Sequence, residues 1–325
     1  MKKYEITNET ICVNGKTLYR IKSLIDFGDV TQGTLGGFIE KESNLSHDGN
    51  AWVYDDACIY GDATICGNAK VYDNACVYDY ANVYGNAEVY DDAKVYGNAK
   101  VYDDAEVYGD AKVWGNAEVG GNAKVHGNAS VYDNAKVYGN TYIWSNAKVW
   151  GNAWVYGNTK VYDDAKIYGN AWVYGNTKVY DDAKIYGNAK IYGNAEVYDN
   201  AEVHDYARIG DNACVWGSAR VRDSALVYGN AIVGGSAVLG GNARIGDNAK
   251  VCDNDDCLCF TGLGSHNRTT AFFKCRDGHI HVSCGCFHGN LVEFENQVRE
   301  THGDTKYAKE YLACVAVVKI HFGIE

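Results

Sequence analysis

The chain has no proline and a single methionine, at position 1, whereas proline makes up roughly 5% of an ordinary protein. No apolar run approaches the ~18 residues that mark a transmembrane helix. The opening residues, MKKYEITNETICV, carry neither the apolar core nor the cleavage site of a secretory signal. A cytoplasmic protein with reduced thiols is therefore expected, and no membrane association. Basic blocks are missing too: the net charge is −12 over 325 residues, and the acidic side chains are spread along the chain. That excludes a general nucleic-acid binder, which needs a basic stripe to displace counterions.

Tyrosine, at 27 residues, and glycine, at 37, are abundant instead. Such bias accompanies repetition. From Val53 to Val251 every sixth residue is Val, Ile or Leu, through 34 hexads without exception. Two positions earlier stands Ala, or Thr at Thr141, Thr159 and Thr177. Each unit reads V-Y-(G/D)-(N/D)-A-x. Alternate residues of A-x-V-Y share a face, so Ala and Val point inward and Tyr outward. The Gly/Asp and Asn/Asp pair supplies turn formers that tolerate positive φ. The three threonines are spaced by 18, and residues 151–168 recur identically as 169–186. One coil is thus three hexads, a triangular prism whose Ala/Val interior leaves no room for a buried ligand.

The six-residue repeat, as in Ile209-Gly210-Asp211-Asn212-Ala213, resembles the hexapeptide left-handed β-helix found in bacterial acyltransferases. The resemblance implies an all-β fold: a left-handed parallel β-helix of 18-residue coils, about 11 of them, over residues 51–254. Residues 1–50 read as an N-terminal cap with a hairpin at Asn14-Gly15, since a bare solenoid end invites polymerisation. The glycines Gly28, Gly33, Gly36 and Gly37 read as turns, because no GK(S/T) and no helix follow. Leu18–Ser46, with Asp26-Phe27-Gly28-Asp29-Val30 and Gly33, Gly36, Gly37 and Phe38, closely resembles the start of the YdcK-like proteins. These are bacterial and phage hexapeptide-repeat proteins, often labelled transferases, with no established activity. Residues 255–325 read as a small α+β domain of three strands and two helices, with Asn290 and Asp304 as N-caps and Gly303 ending the first helix. Similar tails follow such solenoids in phage and gut-bacterial proteins.

The chemistry is sparse. Acyltransferases of this class work at subunit clefts with a catalytic histidine, yet no hexad carries an insertion. The solenoid histidines His126 and His204 replace an outward Tyr on different sides; structural substitution is the plainer reading of both. The outward position is Tyr or Trp in 24 of 34 hexads, which gives stacked ladders that stabilise neighbouring strands or form a contact strip. Trp154, Trp172, Tyr156, Tyr174, Lys136, Lys190 and Arg208 make the most contact-like patch, since Trp, Tyr and Arg are enriched at hot spots. Arg268 lies in a polar loop suited to an anion. Asp163, Asp181 and Asp199 form an acidic column that a hard cation would bridge, although solvated turns explain it as well. The tail holds the pairs Cys257/Cys259 and Cys284/Cys286 and the nearby His288, a weak zinc set beside the simpler reading of buried thiols.

The leading expectation is a non-catalytic scaffold or binding protein that meets an unidentified protein partner through its tail or its Tyr/Trp sides, with a phage-encoded chain acting on a host factor. The alternatives are an acyl-CoA-dependent transferase at an oligomer cleft and an acidic nucleic-acid mimic. Flat sides are compatible with a trimer or a side-by-side dimer, and no cofactor is implied.

Overall fold

The computed structural model describes residues 2–324. The chain divides into two compact units, residues 1–170 and 171–325, and the dividing point falls inside the repeat. Both units are parallel β-solenoid built on the same coil, and each of the 34 hexads contributes one strand, from Trp52–Val53 to Lys250–Val251. These strands are only two residues long, because the outward Tyr already leads into the corner. Pairing is parallel at a separation of 18, as in Glu88↔Glu106 and Val89↔Val107. Backbone bonds that reach outside the strands also join successive coils, as in the first unit where Lys94 N–H donates to Ala111 O (2.9 Å), Tyr96 N–H to Val113 O (3.0 Å) and Asn98 N–H to Gly115 O (2.7 Å). The interior Ala, Val and Ile side chains have no solvent exposure. Thr141 and Thr159 fit among them because their hydroxyls donate to the carbonyls of Tyr138 (2.8 Å) and Tyr156 (2.7 Å).

The corners explain the Gly/Asp alternation. The first corner residue has positive φ, and where it is not Gly it is Asp, or Ser at Ser145. The Asp carboxylate reaches the corner N–H of the following coil: Asp91 Oδ2 accepts from Gly109 N–H at 2.9 Å and Asp211 Oδ2 from Gly229 N–H at 2.9 Å. At the second corner position Asn side chains chain together, Nδ2 to Oδ1, as in Asn98–Asn116–Asn134–Asn152. A methyl group at Gly115 would gain no such bond and would meet Asp133 N at 2.9 Å, at φ +71. Gly115→Ala is therefore expected to cost about 1–2 kcal/mol. Gly115→Asp should cost less than half as much in urea titrations. Equal losses would remove the carboxylate from the account.

In the first unit, β1 (Tyr4–Val13) and β2 (Lys16–Ser23) form the hairpin at Asn14-Gly15. β2 pairs antiparallel with β3 (Leu35–Ile39), and β3 pairs in parallel with Cys58–Ile59 of the first coil. Gly28 (φ +51) and Gly33 (φ +89) are turn glycines, as expected. Gly36 and Gly37 are not: a Cβ there would lie 2.5 Å from Val53 O and 2.6 Å from Ala57 O, so they let β3 lie against the coil.

In the second unit the last coil leads through a 3₁₀ turn, Asn254–Asp256, into an antiparallel sheet of four strands: Cys257–Leu263, Arg268–Lys274, Ile280–Cys284 and Phe287–Asn290. Helices α1 (Leu291–His302) and α2 (Lys306–Phe322) pack on it through Phe294, Val298, Tyr311 and Val315. Asn290 caps α1 as expected: its Oδ1 accepts from Glu293 N–H, and Glu293 Oε2 accepts from Asn290 N–H, both at 2.9 Å. Asp304 does not cap α2; the residue at that position is Thr305, one later, and its side chain makes no capping bond. Among the described residues no helix is long and apolar enough to cross a membrane.

Candidate functional site

The outward side chains form the expected ladders. In the first unit the rings of Tyr72, Tyr90, Tyr108, His126, Trp144 and Tyr162 stack with centroids 4.4–6.0 Å apart and planes within 9° of parallel. The shortest separations match the strand spacing, so the coil sets the stacking distance. His126 lies between Tyr108 (4.6 Å) and Trp144 (6.0 Å). Burial, helped by Lys124, lowers its pKa and so favours the neutral imidazole. In the second unit His204 stacks on Tyr186 at 4.7 Å, and its Nδ1 is 2.9 Å from Asp205 Oδ2.

Glycine at the outward position gives the ladder a second geometry that the sequence reading missed. The aromatic ring one coil earlier folds down over the glycine. A Cβ at Gly120 would lie 2.4 Å from the Tyr102 ring; at Gly210, 2.3 Å from Tyr192; at Gly234, 2.2 Å from Trp216; at Gly246, 2.1 Å from Tyr228. The signal was present in the sequence as an aromatic residue 18 positions before each of these glycines.

The patch residues fall in both units. In the first, the Lys136 ammonium sits 5.2 Å over the Trp154 ring, Tyr138 meets Trp154 edge-on at 6.1 Å, and Tyr138 stacks on Tyr156 at 5.3 Å. In the second, Lys190 sits 5.3 Å over Trp172, Tyr174 stacks on Tyr192 at 5.8 Å, and Arg208 pairs in register with Lys190. Exposed cation–π contacts contribute about 0.5–1 kcal/mol each, so much of this patch is engaged in holding its own sides together. The acidic column is used in the same way: Asp181 Oδ2 accepts from Asp199 N–H (3.2 Å) and Asp199 Oδ2 from Gly217 N–H (3.0 Å). Asp163 takes the same positive-φ corner, at φ +56.

The tail offers concave surface. A cleft of about 330 Å³ has Phe287, Phe294 and Val298 among its lining, with Gln297, Thr301, His302 and Arg268 beside them. Arg268 has no acidic partner among the described residues, and its guanidinium lies over Gly285, where a Cβ would come within 2.6 Å of Nη1. Cys284 is buried beneath, accepting from Thr270 Oγ1 at 3.1 Å, while Cys286 is exposed. Cys257 and Cys259 lie 3.7 Å apart, Sγ to Sγ; this contact holds the proton on Cys257 and lowers the Cys259 pKa. His288 is turned to the solenoid, its Nδ1 3.0 Å from the Tyr228 hydroxyl. These five therefore do not share one ligand sphere. Among the described residues a different trio brings its donor atoms together: one each from Cys275, Asp277 and His281, all within 4.8 Å of one another.

No protein-family model matches the chain. Over 74 residues it is 35% identical to the uncharacterized acetyltransferase YdcK of Escherichia coli (strain K12), a stretch covering 20% of this chain and 23% of that protein. The chain thus spans less than a quarter of the curated relative it matches.

Proposed function

We propose that this YdcK-like hexapeptide-repeat chain is a non-catalytic binding protein, a solenoid scaffold carrying its recognition surface on the C-terminal α+β tail. The observation that carries this reading is the tail cleft around Arg268, a cation without an acidic partner among the described residues beside an apolar floor. A protein partner that presents a carboxylate next to an apolar side chain fits it, and for a phage-encoded chain that partner would be a host protein. The solenoid fits a supporting role, since its hexads run without insertion and both its histidines stack on a neighbouring tyrosine ring.

The test is affinity capture by the full-length protein from a lysate of the source cell, with Arg268→Glu in parallel. Reversal of a central charge in a desolvated contact costs about 2–5 kcal/mol, so retention of the captured partner should fall at least about tenfold. Retention that ignores Arg268→Glu but falls with Trp154→Ala or Trp172→Ala would move recognition to the solenoid sides. A second reading, acyl transfer, takes its support from the name of the E. coli relative and from the His204–Asp205 contact, which resembles an oriented base. Acetyl-CoA turnover that is abolished by His126→Ala or His204→Ala would replace the binding reading with it.

A further inference from the structure

The hairpin that docks the tail on the last coil runs Cys275-Arg276-Asp277-Gly278-His279-Ile280-His281. Cys275 N–H donates to His279 O (2.9 Å) and Gly278 N–H to Cys275 O (3.0 Å), so the turn folds Asp277 back over the two strands. Arg276 N–H donates to Asn248 O (3.1 Å), and Cys275 bridges Ala249, which fixes the turn against the coil corner that carries Asp247. The Cys275 thiol is buried. His281 is the unusual group: its Nδ1 is buried without a hydrogen-bond partner. It lies 3.8 Å from Asp247 Oδ2, while its Nε2 lies 4.0 Å from Asp277 Oδ2.

We propose that Cys275, Asp277 and His281 form a binding site for a divalent transition metal, zinc by its donor set, with Asp247 of the solenoid as the carboxylate that orients His281. A thiolate, an imidazole and a carboxylate are the ligands zinc takes, at about 2.0–2.3 Å, whereas calcium and magnesium demand oxygen alone. Donors around one such ion sit roughly 3.3–3.8 Å apart on those bond lengths. The present separations, up to 4.8 Å, close by rotation of Asp277, which lies in an exposed turn. Metal on Nε2 places the proton on Nδ1, and the orphaned nitrogen then faces Asp247, the carboxylate–histidine arrangement that supports metal-bound imidazoles. Burial, with Asp277 and Asp247 adding to it, pushes the free thiol up to about 12; a dication offsets that cost. Three protein ligands leave a fourth tetrahedral position, and Asp277 and His281 line a cleft of about 560 Å³ that also holds Glu293, Glu295 and Lys319.

This site shares no residue with the Arg268 cleft and stands whether or not that cleft binds a protein. The experiment uses the full-length protein with any affinity tag removed. Zinc is measured by emission spectroscopy after dialysis, and cobalt(II) is titrated into the demetallated protein. The expected result is stoichiometric zinc and a thiolate-to-cobalt charge-transfer band. The band is lost in Cys275→Ser and retained in Cys284→Ser/Cys286→Ser. Because Cys275 is buried, Asp277→Asn serves as the variant that leaves the fold undisturbed, checked by circular dichroism; it should weaken cobalt binding at least about tenfold, as should Asp247→Asn. Wild-type protein that binds neither ion overturns the proposal, and so does a charge-transfer band that survives Cys275→Ser.

Discussion

Above pH 10 the protein is expected to unfold steeply, with phenolate absorbance and loss of β-sheet dichroism rising together. Burial raises the pKa of Tyr54, Tyr72, Tyr78, Tyr90 and Tyr198 well above the ordinary phenol range, and neighbouring carboxylates, phenols or thiols add to it. Tyr60, Tyr96, Tyr102, Tyr108, Tyr132, Tyr138, Tyr192 and Tyr228 shift in the same direction, again through burial first. A phenol of this kind stays protonated in the fold while the unfolded chain ionises from about pH 10. The folded state then binds more protons than the unfolded one, so the stabilisation is whole below that pH and is lost as pH rises toward the folded value. The linkage is about 1.4 kcal/mol per pH unit for each fully coupled phenol. Solvent screens the open face of each ring and reduces this, so the expected loss is a sum over many partly coupled rings drawn against an ordinary stability of about 5–15 kcal/mol. Phenols that titrate near pH 10 with the dichroism unchanged would show that the ladder rings are open to water.

The ladder was legible in the sequence because its cause is one-dimensional. A period of six with Ala and Val in phase fixes which side chains are inside, and the 18-residue recurrence of Thr141, Thr159 and Thr177 fixes the coil. Each follows from neighbours along the chain and one coil away. What stayed hidden depends on a second body. Gly36 and Gly37 look like turn glycines until the first coil is placed against them. The acidic column looks like a cation site until the Asp181 and Asp199 carboxylates are seen to accept corner N–H groups. In the tail the C-x-C pairs drew attention because ligand motifs are read at short spacing. Cys275, Asp277 and His281 converge through an Asp-Gly turn, and the group that completes them, Asp247, comes from the solenoid. The cysteine and histidine enrichment of the tail was visible; which of them meet is a matter of how the sheet packs on the coil.

A bare repeat, residues 51–252 without cap or tail, is expected to assemble end to end at micromolar concentration, where the full-length protein keeps a constant size. The chemistry of the two ends requires it. N–H groups along each hexad donate to carbonyls of the coil that follows, as Lys94 does to Ala111, and the parallel ladder itself returns bonds in the other direction, so each bare end presents a row of unpaired backbone groups. At the start β3 extends the parallel ladder, and the cap brings donors to the outward carbonyls. Phe38, Glu40 and Ser46 N–H groups bond Ala57, Ile59 and Ile65 carbonyls at 2.8–3.0 Å. The Asn44 amide reaches Gly61 and Ala63, and the Lys3 ammonium, on a side chain buried for this purpose, reaches Ala51 at 2.8 Å. At the finish the 3₁₀ turn supplies acceptors: Asn254 Oδ1 takes Val238 N–H at 2.9 Å, and Asp256 Oδ2 takes Cys252 N–H at 2.9 Å and Asp253 N–H at 3.2 Å. Stripped of both, the ends are complementary in hydrogen bonding and apolar at Trp52, Ile59 and Ile65. A heterologous contact of that kind does not close, and it extends into filaments. Removal of the cap alone bares one end while the tail still covers the other, so it should lower stability and solubility without forming ordered fibres. Light scattering and electron microscopy separate the two outcomes. A bare repeat that remains monomeric would mean that the caps stabilise the end coils without being what keeps them apart.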